Sequence, residues 1–216
     1  THTHTPINPH PLFHTAFDFL ISRSIAHLLL RQIMCPLHHP NLVKLHGGVW
    51  NEGADKLCIV LEFCPNGSLK TFLISDPGTW EGLRRGLAIG TAKALAYLHH
   101  DLAEPLIHRD VKPGNILVSR GEIGEVGTGS SITTGSSAKV IDFGVAKAMA
   151  GGMTQQTVYT QIGEGIGTWG YMSPEQMEGD TELIGTPSDV YALGILLYEL
   201  ISGSKPYDIQ ALVPLS

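Results

Sequence analysis

Before Lys44 the chain contains no lysine, and between Phe19 and Asn51 it contains neither aspartate nor glutamate. No lysine–carboxylate ion pair can be assembled within that opening segment. Cysteine is scarce too: Cys35, Cys58 and Cys64 make an odd set with no C-x-x-C spacing. This excludes a disulfide framework or a cysteine zinc site and predicts a reducing, cytoplasmic (intracellular) compartment. Basic residues are outnumbered 14 to 20, a formal charge of −6. A uniform cationic field for nucleic acid or anionic lipid is therefore excluded, and any phosphate binding must be local. Long apolar runs are missing as well. The nearest, Phe19 to Leu30, is interrupted by Arg23 and His27 and is too short for a membrane segment. Nor does the start have the order of a signal peptide.

What is present suffices for a folded domain, with 43% apolar residues and both charge signs. Residues 1–17, rich in His, Thr and Pro, offer little to a core and read as a disordered tail. A helix is compatible with Ser24 to Met34, and Pro36 to Pro40 break the chain before a strand-like run, Leu42 to Leu45. A second strand, Leu57 to Leu61, stops at the turn Pro65-Asn66-Gly67, which suggests an antiparallel pair. Leu83, Leu87, Ala94, Leu95 and Leu98 mark one face of a long helix ending near His100. Two short strands, Ile116 to Val118 and Lys139 to Ile141, flank a Gly/Ser/Thr-rich insertion at 120–138 and predict a hairpin. Val190 to Ile201 is apolar on nearly every side, which predicts a helix in the middle of a lobe, with Ser188-Asp189 as its cap and Gly203 as its stop.

Three motifs follow in order: His108-Arg109-Asp110-Val111-Lys112-Pro113-Gly114-Asn115, then Asp142-Phe143-Gly144, then Ser173-Pro174-Glu175. Together they resemble the catalytic loop, magnesium loop and activation-segment end of the eukaryotic-type protein kinase family. The resemblance runs from about residue 25 to 208. It implies an α+β, partial two-lobed kinase-like fold: a remnant N-lobe sheet and hinge over 18–64 and a mainly helical C-lobe over 65–216. The wording of Gly167 to Glu175 and of Ser188 to Gly194 is most similar to the tyrosine-kinase-like group, whose members mostly phosphorylate serine or threonine.

Carried over residue by residue, the resemblance implies that Asp110 takes the hydroxyl proton, with Mg²⁺ on Asp142 and Asn115. It also implies that Lys112 contacts the transferred phosphate and that Thr168 bonds the aspartate and lysine. Glu62 and Cys64 would hold adenine through the hinge backbone, beside Leu61 as gatekeeper. Arg109 would receive a phosphate from Thr154, Thr157, Tyr159 or Thr160, and Asp189 would hold the catalytic-loop backbone. ATP and Mg²⁺ are the implied cofactors and a protein is the implied substrate; nucleic acid is not.

The family's glycine-rich loop and strand lysine have no counterpart here. The G-x-G-x-x-G at Gly165 to Gly170 follows the catalytic residues and is not an ATP loop. No arginine stands after Glu175 to pair with it. The sequence thus predicts a serine/threonine kinase domain truncated at both ends. A pseudokinase-like binding or scaffold module without turnover is the alternative.

Overall fold

The computed structural model describes residues 34–50, 57–75, 80–119, 137–142 and 169–207. The expected tail, most of the helix at Ser24 to Met34, and residues 120–136 of the insertion lie outside them. The chain divides into two compact units. One comprises Thr1–Pro36 and Leu45–Leu61, the other Leu37–Lys44 and Glu62–Ser216. Residues 37–44 and 62–64, assigned by sequence to the smaller part, thus cluster with the larger.

In the smaller unit β1 (Leu45–Trp50) pairs antiparallel with β2 (Leu57–Leu61), with a bulge between Leu45 and Gly47. The strand expected at Leu42 to Leu45 therefore begins where it was thought to end. Residues 41–43 are instead captured by the larger unit. Val140 N donates to Asn41 O at 2.8 Å, and Val43 N donates to Val140 O at 3.0 Å.

The larger unit is built on a hairpin and two helices. β3 (Ile116–Ser119) pairs with β4 (Ser137–Val140). Ile116, Val118, Ala138 and Val140 alternate inward, as period-2 side chains must when only one face of a ribbon is buried. Ser137 and Ala138, read from sequence as insertion, are strand residues; their small side chains still suit the pleat. The turn at Pro65 to Gly67 feeds α1 (Leu69–Ser75), and Val118 N donates to Gly67 O at 2.9 Å.

Beneath the hairpin runs α2 (Arg85–Ala96), flanked by wider π-type turns at Trp80–Arg84 and Tyr97–Asp101. Its buried side carries Leu87, Thr91, Ala94 and Leu95, the three-and-four spacing of one helix face. Leu98, fully buried, continues that face into the following turn. Two further helices follow, α3 (Pro174–Glu178) and α4 (Thr186–Ser202).

α4 buries Ser188, Asp189, Ala192, Ile195, Leu196 and Leu200 on one side. Arg84 Nη1 donates to Leu200 O at 3.0 Å, satisfying a last-turn carbonyl. The expectation of a helix enclosed all round needs correction, since Val190, Tyr198 and Ile201 are exposed among the described residues. Its start is corrected too. Gly185 precedes the helix, Ser188 Oγ accepts the Gly185 N–H at 3.3 Å, and Asp189 points elsewhere. Gly203 ends it in the left-handed conformation, φ 79°, as expected. No helix among the described residues is long and apolar enough to cross a membrane.

Gly90 is where α2 meets β4. A Cβ there would lie 2.7 Å from Asn41 Nδ2, the atom that donates to Ala138 O at 2.9 Å. Alanine would gain about 1 kcal/mol of helix propensity but displace a buried hydrogen bond whose loss costs about 1 to 3 kcal/mol. We expect Gly90→Ala to lower unfolding stability by about 1 kcal/mol in denaturant titration. A stabilised variant would contradict this packing.

Candidate active site

The segment from His108 to Asn115 leaves the helical layer and re-enters the sheet at Ile116, so its side chains depend on tertiary anchors. The first anchor is Asp189, which is almost fully buried. Its Oδ2 accepts from His108 N at 2.8 Å and pairs with His99 Nε2 at 2.8 Å, and its Oδ1 accepts from Arg109 N at 2.8 Å. A buried carboxylate is tolerated only when such donors replace water.

His108 is the second anchor. Its ring is buried, and Nδ1 accepts from Asp110 N at 3.2 Å. The other ring nitrogen must then carry the hydrogen that meets Ile141 O, at 3.1 Å. One neutral imidazole thus ties the residue before Asp142 to the backbone of Asp110. Burial pushes the His108 pKa below its usual 6.5, against the opposing pull of Asp189, Asp110 and Asp142.

Around Asp110 the side chains converge. Lys112 Nζ lies 2.9 Å from Asp110 Oδ2, and Asn115 Nδ2 donates to both Asp110 O and Asp110 Oδ2 at 2.9 Å. A single 3₁₀ turn over Pro113–Asn115 allows this reach, closed by Asn115 N donating to Lys112 O at 2.9 Å. Asn115 O in turn accepts from Ile141 N at 3.0 Å. Asp142 follows immediately, exposed and with φ 62°, a left-handed conformation uncommon outside glycine. One short hydrogen-bond network therefore holds Asp110, Asn115 and Ile141, the residue before Asp142.

Arg109 shares the left-handed conformation, φ 64°. Its Nε is buried and has no hydrogen-bond partner among the described residues. Glu62 is taken up by Lys139, whose Nζ is 2.9 Å from its carboxylate, while Glu62 N donates to Lys44 O at 2.8 Å. Cys64 is buried, and its carbonyl accepts from Gly67 N at 3.2 Å. Burial, first, and Glu62, second, raise the Cys64 pKa, which keeps the thiol protonated and inert. Thr168 and the acceptor candidates Thr154, Thr157, Tyr159 and Thr160 lie outside the described residues.

A scan against protein-family models matches the protein kinase domain over residues 29–212. The chain belongs to the protein kinase family. A probable receptor-like serine/threonine-protein kinase of Arabidopsis thaliana is 38% identical over 80% of this kinase chain and 36% of its own length. A proline-rich receptor-like protein kinase of the same plant is 37% identical over 83% of the chain and 23% of its own length. A G-type lectin S-receptor-like serine/threonine-protein kinase of Oryza sativa is 38% identical over 81% and 19% respectively. The chain spans well under half the length of these curated relatives.

The anchoring roles of three residues were not read from sequence. His99 lies in the expected long helix and His108 opens the catalytic-loop motif, but only the fold shows them meeting Asp189 and Ile141. Gln176 bonds the Arg109 carbonyl through Nε2 at 2.8 Å. Its signal was available as the fourth residue of the capping-box pattern Ser173-Pro174-Glu175-Gln176.

A pH dependence follows from the depressed pKa of His108. Below pH 6.5, and down to the lower folded pKa, the unfolded chain binds a proton that the native imidazole does not. Stability must then fall as the pH falls through that window. Denaturant midpoints measured across it should decline less steeply for His108→Phe than for the parent chain. Parallel slopes would show that His108 titrates normally in the native state.

Proposed function

We propose that this domain transfers the γ-phosphate of Mg-ATP to serine or threonine hydroxyls of a protein substrate, with Asp110 as the group that orients and deprotonates the hydroxyl. The observation that carries the reading is the convergence on Asp110: Lys112 Nζ at 2.9 Å, the Asn115 amide at 2.9 Å, and Asp142 tethered one residue from the His108 ring. Phosphoryl transfer asks the protein mainly for positioning and for cations near developing charge, and this cluster is built for both.

The donor set fits magnesium, a hard cation that needs few protein oxygens when phosphates and waters supply the others. The nitrogen of the Asn115 side chain is committed to Asp110, so its amide oxygen is the end free to face a metal. Asp142 would add a carboxylate. When bound, Mg-ATP supplies the phosphoryl group and most of the cationic compensation. The protein residues orient the acceptor and keep its proton on Asp110. Lys112 would bridge Asp110 and the transferred phosphate, and Thr168 would join that contact. The backbone of Glu62 and Cys64 would hold adenine.

Arg109, with its buried unpartnered Nε, suits a phosphate placed on Thr154, Thr157, Tyr159 or Thr160, because a guanidinium binds phosphate in bidentate fashion. The names of the relatives, receptor-like serine/threonine-protein kinases, support the acceptor class. A cytoplasmic location accords with a need for ATP and with the free thiols of Cys35 and Cys64.

The second reading is a nucleotide-binding or scaffold module without turnover.

Phosphate transfer from Mg-ATP to a generic protein substrate separates the two readings. The parent chain should transfer, and Asp110→Asn should lower kcat by about 10² to 10⁴-fold. Equal rates for both proteins would refute the role of Asp110. A Mg-ATP thermal shift without transfer would select the second reading.

A further inference from the structure

Gln176 occupies an unusual place between two elements. Its Oε1 accepts from Ser173 N at 3.1 Å and from Ser173 Oγ at 3.3 Å, closing the start of α3. Its Nε2 crosses to Arg109 O at 2.8 Å. The side chain is almost fully buried, so neither end exchanges its partner for water. One amide therefore uses its acceptor to fix its own helix and its donor to fix the loop before Asp110.

The peptide unit it holds is the one joining Arg109 to Asp110. On the other edge of that unit, Asp110 N donates to His108 Nδ1 at 3.2 Å. The preceding peptide is held through Arg109 N on Asp189 Oδ1 at 2.8 Å. Arg109 lies between the two with φ 64°, a conformation that a non-glycine residue keeps only under external restraint. Without a partner on its carbonyl, the Arg109–Asp110 peptide would be able to rotate about ψ of Arg109 and φ of Asp110 and swing Asp110 away from Lys112 and Asn115.

The neighbours of the two holders are themselves joined. Ser188 Oγ donates to Glu175 Oε1 at 2.5 Å, and this hydrogen bond is the first cause of the lowered Glu175 pKa. Consecutive residues Glu175 and Gln176 of α3 thus bind Ser188 and Arg109, while consecutive residues Ser188 and Asp189 of α4 bind Glu175 and Arg109. The result is a closed ring of three segments.

We propose that Gln176 is a positioning residue for the phosphoryl-transfer site: its amide clamps the Arg109 carbonyl, holding Asp110 in register with Lys112 and Asn115, and the Glu175–Ser188 bond braces the clamp. The inference rests on the kinase reading for the role of Asp110, but the clamp itself is testable without turnover.

Amide hydrogen exchange by NMR on the full chain reads the clamp directly. Gln176→Met removes both functions of the side chain. Gln176→Glu keeps an oxygen for Ser173 N–H and removes the donor to Arg109. Both should speed exchange at Arg109 and Asp110 by roughly tenfold or more relative to β3 and α2, whose amides stay at parental rates, because releasing a restraint opens the local unit first. Ser188→Ala should give a smaller effect at the same two amides.

If Gln176 only caps α3, Gln176→Met will quicken residues 173–178 alone and Gln176→Glu will leave the loop unchanged, which overturns the proposal. Uniform acceleration across all elements, in both variants, overturns it too, by showing a general stability role. In a chain that transfers phosphate, both variants should lower kcat about tenfold with the KM for ATP unchanged, as expected when reacting groups lose alignment. Absence of transfer by the parent chain would count against the kinase reading and leave the exchange result to decide the clamp.

Discussion

The carboxylate of Asp189 is the constraint around which the larger unit is organised. It is buried at the start of α4 and receives two backbone N–H groups of the catalytic loop and one histidine ring nitrogen, each at 2.8 Å. Removing such an acceptor would leave three buried donors unpaired, at about 1 to 3 kcal/mol each. The geometry of residues 108–110 therefore follows from where α4 begins. α4 in turn is located by the packing of Ala192, Leu196 and Leu200 and by the Arg84 bond to its last turn. Apolar packing sets the position, and hydrogen bonds convert it into the alignment of Asp110.

From that anchor the restraint spreads by short steps. Asp189 holds the backbone at His108, and the His108 ring then holds both Asp110 N and Ile141 O. Asn115 closes the other side by bonding Asp110 through its amide and Ile141 through its carbonyl. Two residues in this circuit, Arg109 and Asp142, take left-handed backbones. Strain of this kind persists only where surroundings over-determine it, and here His108 and Asp110 on either side of Arg109, and Ile141 before Asp142, are hydrogen-bonded. A kinase site needs such pre-alignment because positioning and electrostatics do most of its work.

Much of the site was legible because its residues lie in contiguous motifs with fixed spacing. Asp110, Lys112 and Asn115 had to be close, since a loop of five residues cannot separate them far. Asp142 was named through resemblance alone, because nothing local links a strand end 32 residues away to Asp110. The fold was less legible wherever a tertiary partner outbid the local pattern. Leu42 to Lys44 have the composition of a strand joined to Leu45, yet Val140 offers backbone partners and takes them. Val190, Tyr198 and Ile201 read as core by hydropathy but are exposed. The double use of Gln176 was hidden for a different reason: a capping-box pattern accounts for only one end of its amide.

The Asp189 carboxylate, rather than loop sequence alone, orders the backbone before Asp110. The most direct measurement is the backbone amide spectrum of Asp189→Asn against the parent chain, both recorded on folded protein. Loss or large displacement of the His108, Arg109 and Asp110 resonances is predicted, with those of Ile116 to Ser119 and of the buried face of α2 kept in place. Unchanged loop resonances in a folded Asp189→Asn protein would contradict it.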